Sequence, residues 1–276
     1  MSIVTFWGSG KEQVGKTLAI VAIATNLAIE HNKKILVISA SYNNDTLKNC
    51  YWSEEITKKN SMFRPKNAIE LDNGIEGLAK MIQSNKVSPE LITDYTKIVF
   101  KDRLEVLLGF EEKTSASSEA VAKIYSDIIQ LANKYYDMVL VDLDNEISVV
   151  ATDGILKNSD LIIAMTSQKI ASITKMQQRK AELPQSKVML LVGKYDRKSK
   201  YTIKNLTRMI GQKKEILTIP YNTLYFEAAQ EGTVADLFLR LRRIEDKNDG
   251  NAFFIEQVKK ASQEIMQKIQ EDKLIK

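Results

Sequence analysis

The sequence predicts an α/β fold of three layers, with helices on both faces of a doubly wound, mostly parallel sheet of about seven strands. Apolar runs of strand length alternate with longer amphipathic segments along the chain, and this alternation is typical of crossover units on a parallel sheet. The 276 residues are 44% hydrophobic and 27% charged, so the chain can bury a large core. With four prolines and no linker or repeat, residues 1–276 are expected to form one domain.

Each strand is predicted from an apolar run. The first of these, 2–7, leads directly into a glycine-containing loop. The other six lie at 34–40, 104–109, 137–142, 160–166, 187–194 and 215–219.

Helices are predicted where apolar residues recur at helical spacing. The helix at 16–31 has one side formed by Leu18, Ala22, Thr25 and Ala28. The middle of the chain carries the same spacing at 73–84, 116–135, 170–181 and 200–212. The last helix, 251–272, is expected to pack on the sheet through Phe254, Val258, Ala261, Ile265 and Ile269. Alternatively, this apolar side of the helix contacts a partner protein or a membrane surface.

Composition excludes several classes of protein. Cys50 is the only cysteine and His31 the only histidine, which excludes an internal disulfide and leaves no metal-ligand cluster. We expect both residues to have surface or packing roles. No apolar run reaches the roughly 18 residues of a membrane span, and Met1 leads straight into a strand without a secretory signal. These features predict a cytoplasmic protein.

A phosphate-binding loop follows the first strand. Residues 10–17 read Gly-Lys-Glu-Gln-Val-Gly-Lys-Thr and match the pattern G-x-x-x-x-G-K-[ST] in its expected strand–loop–helix context. In this geometry Lys16 reaches the β and γ phosphates, and the Thr17 hydroxyl ligates Mg2+. The pattern predicts a P-loop NTPase fold and nine nucleotide-binding residues: Gly10, Lys11, Glu12, Gln13, Val14, Gly15, Lys16, Thr17 and Leu18.

An acidic residue at the end of a neighbouring strand is the second element of such a site. Met138 to Val141 form an apolar run that ends at Asp142. A carboxylate there can hold the hydration shell of Mg2+, because this ion keeps several waters and needs few protein ligands. The predicted metal residues are therefore Thr17 and Asp142.

The loop resembles the deviant phosphate loop K-G-G-x-G-K-[ST] of the MinD/ParA family. Lys11 stands where that family has a second lysine, which reaches across a dimer to the partner's nucleotide. The resemblance covers most of the chain and includes Thr166-Ser167-Gln168, Lys194-Tyr195-Asp196 and Ile219-Pro220-Tyr221-Asn222. It implies ATP and Mg2+ as cofactors, Lys11 and Lys16 as the catalytic lysines, and an ATP-dependent homodimer.

The same resemblance implies where the base is bound. In the family, a residue after the strand at 187–194 and the backbone after a proline read adenine, and they correspond to Asp196, Pro220 and Tyr221. Asparagine is usual at the first position. A carboxylate can accept from the adenine N6 amino group, but the N1–H and N2–H2 edge of guanine also suits it. The resemblance therefore favours ATP, while Asp196 itself leaves the base open.

Three departures from the family concern hydrolysis. Where the family has D-x-D after the second strand, this chain has Ser39 and Ser41. A hydroxyl neither carries the charge nor serves as the base that orients attacking water. The two family glycines after Lys11 are Glu12 and Gln13, and no glycine follows Asp142 closely. We expect weak or absent hydrolysis, unless an acid such as Asp45 or Asp144 substitutes.

The segment from Ile219 to Phe238 resembles the TadZ/CpaE branch of the family. That likeness implies a nucleotide-switched dimer that positions a pilus or secretion apparatus. Its place in the cell would be cytoplasmic, and polar or membrane-peripheral through its partners. A P-loop kinase or synthetase is a more distant alternative, because no acceptor site is evident.

A basic segment supports a different alternative. From Lys169 to Lys214 there are 13 Lys or Arg residues against Glu182 and Asp196. Lys200, Lys204 and Arg208 recur every four residues, which predicts one basic side of a helix. Such a side can follow a phosphate backbone, as in a ParA-like partitioning ATPase on nonspecific DNA. An acidic partner, an anionic membrane or plain solvation are the other interpretations.

Overall fold

Eight strands form a single sheet in the computed structural model, which describes residues 1–10, 12–42, 45–53, 74–84, 88–111, 116–211, 216–246 and 248–275. The strands are β1 Ser2–Gly8, β2 Ile35–Ala40, β3 Lys97–Phe100, β4 Leu104–Leu107, β5 Met138–Leu143, β6 Leu161–Thr166, β7 Val188–Tyr195 and β8 Ile216–Pro220. Their order is β3-β4-β2-β5-β1-β6-β7-β8. Only β3 runs antiparallel to its neighbour, so the predicted mostly parallel sheet is confirmed.

The sheet has one strand more than the seven predicted. The additional strand, β3, is a four-residue edge strand with a register shift against β4. Its residues are half-buried or exposed, and such a short strand at an edge carries little of the hydrophobic alternation that identifies strands in a sequence.

Ten helices are found among the described residues. They are α1 Lys16–Glu30, α2 Thr46–Tyr51, α3 Ile75–Gln83, α4 Ser118–Tyr135, α5 Val149–Asn158, α6 Ile170–Lys180, α7 Ile203–Ile210, α8 Thr223–Glu231, α9 Val234–Leu241 and α10 Ala252–Ile275. Short 3-10 turns lie at Pro89–Tyr95 and Gln185–Lys187. The six predicted helices are present, and α2, α5, α8 and α9 are additional to the prediction.

The helices cover both faces of the sheet, which confirms the three layers. On one face α1, α2, α8, α9 and α10 share a buried apolar cluster with the sheet. On the other face a second cluster joins the sheet to α3, α4, α5, α6 and α7. Successive residues of β1 alternate between the two clusters, as with Val4 in the first and Ile3 in the second. The strands are therefore buried on both sides, as parallel strands usually are.

The basic helix is shorter than predicted. Helix α7 begins after Thr202, whose Oγ1 accepts from the backbone N–H of Asn205, and ends at Gly211 in a left-handed conformation. Lys200 therefore precedes the helix, and the predicted stripe of three residues is wrong in this respect. Lys204 and Arg208 remain on its exposed side, opposite the buried Leu206.

The last helix packs as expected. Helix α10 contacts β8 and α1, and its buried side contains Phe254, Val258, Ala261, Ile265 and Ile269. Within the described ranges, no helix is both long and apolar enough to cross a membrane.

Candidate nucleotide-binding site

The loop after β1 leaves the first turn of α1 open to an anion. Gly15, the residue before the helix, has a left-handed φ of 75° and provides no side-chain cap. The first turn of α1 contains no acidic residue. Its free N–H groups and positive dipole end therefore lack a compensating charge within the helix, which is the arrangement that binds phosphate in other proteins. Lys11 lies outside the described residues.

Asp142 connects two residues of α1 to the end of β5. Its Oδ1 lies 2.9 Å from the Lys16 ammonium, and its Oδ2 accepts a hydrogen bond of 2.7 Å from the Thr17 hydroxyl. Lys16 also donates to the backbone oxygen of Leu143. The register of the sheet accounts for this arrangement, because Asp142 lies opposite Phe6 on β1 and Ser39 on β2.

Magnesium fits the residues present. Asp142 is 3% exposed, and its Oδ1 accepts no well-formed hydrogen bond despite the nearby ammonium. A buried carboxylate oxygen without such a bond, next to the Thr17 hydroxyl, is a donor set that Mg2+ accepts. The part of the chain that the structure describes holds no group of three or more His, Cys, Asp or Glu residues able to cage a metal. Mg2+ at a phosphate site needs few protein ligands and does not require such a group.

A cleft of about 630 Å3 lies over the loop. Its lining includes predicted loop residues and side chains from other elements: Gly8, Glu12, Gln13, Val14, Gly15, Lys16, Thr17, Leu18, Thr46, Asp144, Asn145, Glu146, Lys194, Phe226 and Gln230. Gly10 is adjacent rather than lining, and its oxygen accepts a 2.7 Å hydrogen bond from the Asn145 amide. One oxygen of Glu12, Oε2, is buried without a hydrogen-bond partner.

The loop rests directly on β7. A Cβ on Gly193 would lie 2.0 Å from the backbone oxygen of Val14, so only glycine permits this approach. From the other face, Arg179 of α6 donates a 3.1 Å hydrogen bond to the oxygen of Ser9, and its guanidinium lies over the ring of Trp7. The loop is therefore fixed from β7 and from α6.

A second pocket of about 490 Å3 lies beyond Lys194. It brings together the three residues predicted to read a base, Asp196, Pro220 and Tyr221, with seven others: Lys194, Tyr195, Arg197, Lys198, Gly250, Phe253 and Phe254. The Arg197 guanidinium stacks 5.1 Å from the centre of the Phe253 ring. Lys194 lines both this pocket and the cleft over the loop.

The backbone of Asp196 is held by one side chain. Gln168 donates to its oxygen at 3.0 Å and accepts from its N–H at 2.7 Å. The Asp196 Oδ1 accepts from the backbone N–H of Lys198 at 2.8 Å. One carboxylate oxygen is thus already bound within the turn, while the residue itself remains exposed at the pocket.

Sequence reasoning gave no binding role to several side chains of these pockets. Among them are Lys194, Arg197, Phe226 and Phe253; Lys194 and Phe226 lie in segments that resemble the family, but neither was assigned a role there. Lys194 and Arg197 could have been identified from their position beside Asp196 at the end of a strand. No comparable signal marks Phe226 or Phe253.

The two serines at the end of β2 are sealed from the cleft. Ser39 and Ser41 are each 2% exposed, and their hydroxyl oxygens lie 2.7 Å apart. Asp45 is at the surface, with a side chain 69% exposed that pairs with Lys48. Asp144 does line the cleft, and its Oδ1 accepts from the backbone N–H of Glu146 at 3.1 Å.

The wall behind α1 contains buried groups that serve packing. Burial raises the pKa of the Cys50 thiol to about 12, and its sulfur donates to the oxygen of Thr46. The Tyr225 hydroxyl donates to the oxygen of Leu18 at 2.5 Å, and burial raises its pKa well above the usual value. Cys50 is neutral and enclosed, which agrees with the packing role expected for it.

The chain shares its fold with MinD and ParA ATPases of known structure. The ParA family ATPase from Chlorobium tepidum is similar at 16% identity, with 95% of this chain and 98% of that chain covered and a TM-score of 0.68. MinD from Pyrococcus horikoshii, complexed with Mg-ADP, is 16% identical over 97% and 98% of the two chains, with a TM-score of 0.62.

A third similar structure is the putative plasmid partition protein of Borrelia burgdorferi bound to AMPPNP. It is 17% identical over 94% of this chain and 97% of that chain, with a TM-score of 0.61. At these identities the likeness is one of fold. No protein-family model matches the sequence, and no curated protein matches it.

Proposed function

We propose that this chain is a MinD/ParA-like protein that binds ATP with Mg2+ and acts as a nucleotide-switched, dimeric positioning or assembly factor with weak or absent hydrolysis. The observation that carries the proposal is the contact of Lys16 and Thr17 with Asp142 beneath the uncapped first turn of α1. In this proposal residues 1–276 act as one nucleotide-binding domain.

The layout of the two pockets supports a nucleotide rather than an isolated phosphate. One pocket carries the phosphate loop, the other carries aromatic, proline and carboxylate groups suited to a base, and Lys194 borders both. Two proteins of the same fold bind Mg-ADP and AMPPNP. We assign the polyphosphate to the cleft over the loop and adenine to the pocket of Asp196, Pro220 and Tyr221.

Thr17 and Asp142 would hold the metal. Bound Mg2+ would neutralise the negative charge of the β and γ phosphates. In the structure the Lys16 ammonium rests against Asp142, and we infer that it turns toward the phosphates when they bind. Asp142 would then keep a positive neighbour, because it would hold Mg2+ in place of the ammonium.

Weak hydrolysis is supported by the residues at the end of β2. Positioning of the attacking water supplies much of the catalysis in phosphoryl transfer. Ser39 and Ser41 are buried and hydrogen-bond to each other, so neither hydroxyl reaches the cleft. Asp144 and Glu146 are the acids that line it, and Asp144 is the first candidate if turnover occurs.

Dimerisation is proposed from the resemblance at Lys11, which has no described position here. Sedimentation with ATP tests it together with turnover. We expect ATP to convert wild-type protein from monomer to dimer, without phosphate release above that of Lys16→Ala. Lys11→Ala should bind ATP and remain monomeric. An ATP-saturated wild type that sediments as a monomer would contradict the switch, and Lys16-dependent phosphate release would contradict the weak hydrolysis.

From the resemblance to the TadZ/CpaE branch, we propose that the partner of this protein is a pilus or secretion apparatus. The resemblance rests on the sequence of β8, α8 and α9, which here packs against α1 through Tyr225. In this proposal the protein is cytoplasmic and is brought to a cell pole or to the membrane surface by that apparatus.

A second candidate is a ParA-like partitioning ATPase on nonspecific DNA. It is favoured by the exposed Lys204 and Arg208 on α7. Retardation of a random duplex at two salt concentrations tests it, because each phosphate contact makes binding fall as salt rises. We expect Lys204→Ala with Arg208→Ala to weaken such binding and reduce its salt dependence. Binding that is insensitive to salt would exclude this candidate.

A further inference from the structure

We propose that Lys194 is a phosphate-binding residue, which contacts the base-proximal phosphate of a bound nucleotide from the β7 side of the cleft. This inference rests on the proposed function, since it assumes a nucleotide that spans the two pockets. Lys194 is the residue that lines both of them. In a nucleotide, the phosphate nearest the ribose lies between the base and the terminal phosphates, so Lys194 has the matching position.

The backbone at Lys194 is unusual. Its φ is 50°, and of the described residues other than glycine only Asp102 also has a positive φ. The pairing of β7 with β8 shifts register between Gly193 and Tyr195, on either side of Lys194. Such a bulge redirects a side chain, and a left-handed conformation is disfavoured for a residue with a Cβ. The strand thus ends in a strained form that carries a lysine to the cleft.

The stem of Lys194 crosses the residue that precedes α1. Its Cγ, Cε and Cδ lie 3.0, 3.4 and 3.7 Å from the position that a Cβ on Gly15 would occupy. The aliphatic stem of Lys194 therefore packs beside the residue that precedes α1. Gly15 therefore serves two purposes, a left-handed turn and room for this stem.

Lys194 is an exposed cation beside the residue that precedes α1. Lys16 pairs with Asp142, whereas Lys194 has no carboxylate at ion-pair distance in the part of the chain that the structure describes. The neighbouring helix end is also positive, with no acid in its first turn. A cation beside a helix N-terminus is unfavourable until an anion binds. A phosphate between them removes this repulsion and receives a charge-assisted hydrogen bond.

Substitution separates the charge of Lys194 from its backbone conformation. Lys194→Met keeps the stem and removes the charge, while Lys194→Gly also relieves the positive φ. We expect both variants to lose ADP affinity by about tenfold or more. Lys194→Gly should nevertheless melt at a higher temperature than Lys194→Met. Lys123→Met is the matched control. Lys123 is exposed on α4, which packs on the face of the sheet opposite to α1.

Calorimetric titration of ADP into these variants and Lys16→Ala decides the question. Loss in both Lys194 variants, with Lys123→Met and Lys194→Arg close to wild type, supports the proposal. Wild-type affinity in Lys194→Met, or affinity restored in Lys194→Gly, would overturn it. If Lys16→Ala loses ADP affinity in the same experiment, the proposed function stands even when the Lys194 inference fails. If Lys16→Ala binds ADP normally, the nucleotide site itself is wrong.

Discussion

Asp142 shows how a single carboxylate organises the candidate site. Its two oxygens lie against different residues of α1, Lys16 and Thr17, so the end of β5 determines where the loop ends and the helix begins. The carboxylate is almost fully buried. A buried charge is tolerated when it is paired, and Lys16 provides that pairing.

Replacement of Asp142 by asparagine should weaken the magnesium dependence of ATP binding. The amide keeps the size of the side chain but loses the charge that holds the metal and its waters. We expect the gain in ATP affinity on adding Mg2+ to shrink by about tenfold, or ~1.4 kcal/mol. Calorimetric titration with Mg2+ and with a chelator measures this gain. Asp45→Asn is the control at an exposed carboxylate, and an unchanged gain in Asp142→Asn would exclude Asp142 from the metal site.

Individual site residues could be predicted from the sequence where they belong to a motif with fixed spacing. The loop from Gly10 to Leu18 was identified because its glycines and lysine follow a fixed pattern, and the lining of the cleft includes most of it. Lys194 was matched to the family without a role of its own, and Phe253 was not identified, because the first reaches the cleft through a bulge in β7 and the second comes from a distant helix. Neither feature leaves a local pattern in the sequence.

At the scale of elements, β7 and the loop after β1 behave as one unit. Gly193 allows the backbone of Val14 to approach so closely that any side chain there would overlap it. The loop therefore cannot keep its position if β7 changes at this residue.

Gly193→Ala should destabilise the protein and weaken nucleotide binding together. Its Cβ would lie 2.0 Å from the Val14 oxygen, and overpacking of this kind costs about 1–3 kcal/mol. Urea unfolding measures the cost. Gly154→Ala is the matched control in α5, where the nearest atom to the new Cβ is 4.0 Å away, and it should be neutral or stabilising by about 0.5–1 kcal/mol. Equal stability of the two variants would contradict the close approach.

Helix α8 is fixed to α1 by a hydrogen bond from a buried tyrosine. Tyr225→Phe removes the hydroxyl that donates to the oxygen of Leu18 and should lower the free energy of unfolding by about 1 kcal/mol. Tyr221→Phe is the comparison, since Tyr221 is 54% exposed and should show almost no change. Urea unfolding of both variants tests the difference, and equal values would mean that the bond contributes nothing.

The long elements of the fold were predictable, whereas several of the short ones were not. Strands buried on both faces, such as β5, appear as continuous apolar runs, and α1 and α10 repeat their apolar residues over several turns. Helices α2 and α9 have six and eight residues, so packing against α1 rather than their own pattern determines them. The length of α7 is determined by its capping residues, Thr202 and Gly211, which a periodicity argument does not weigh.

At the scale of the whole molecule, the candidate functional residues lie together at the carboxyl edge of the sheet. The loop after β1, Asp142 at the end of β5 and Lys194 at the end of β7 meet there, because parallel strands end on the same side. The helices behind α1 supply packing, and the basic α7 lies on the opposite face. A nucleotide bound at this edge would touch residues from strands far apart in the sequence.

Equilibrium binding of Mg-ATP to the wild type and Lys16→Ala is the most direct test of this account. The claim is that the open end of α1, with Lys16, Thr17 and Asp142, binds nucleotide phosphates. We expect saturable binding by the wild type at one site per chain and a loss of at least about a hundredfold in Lys16→Ala, because a charge-assisted contact to the phosphates is removed. Equal affinity of the two proteins, or no binding by a folded wild type, would contradict the claim.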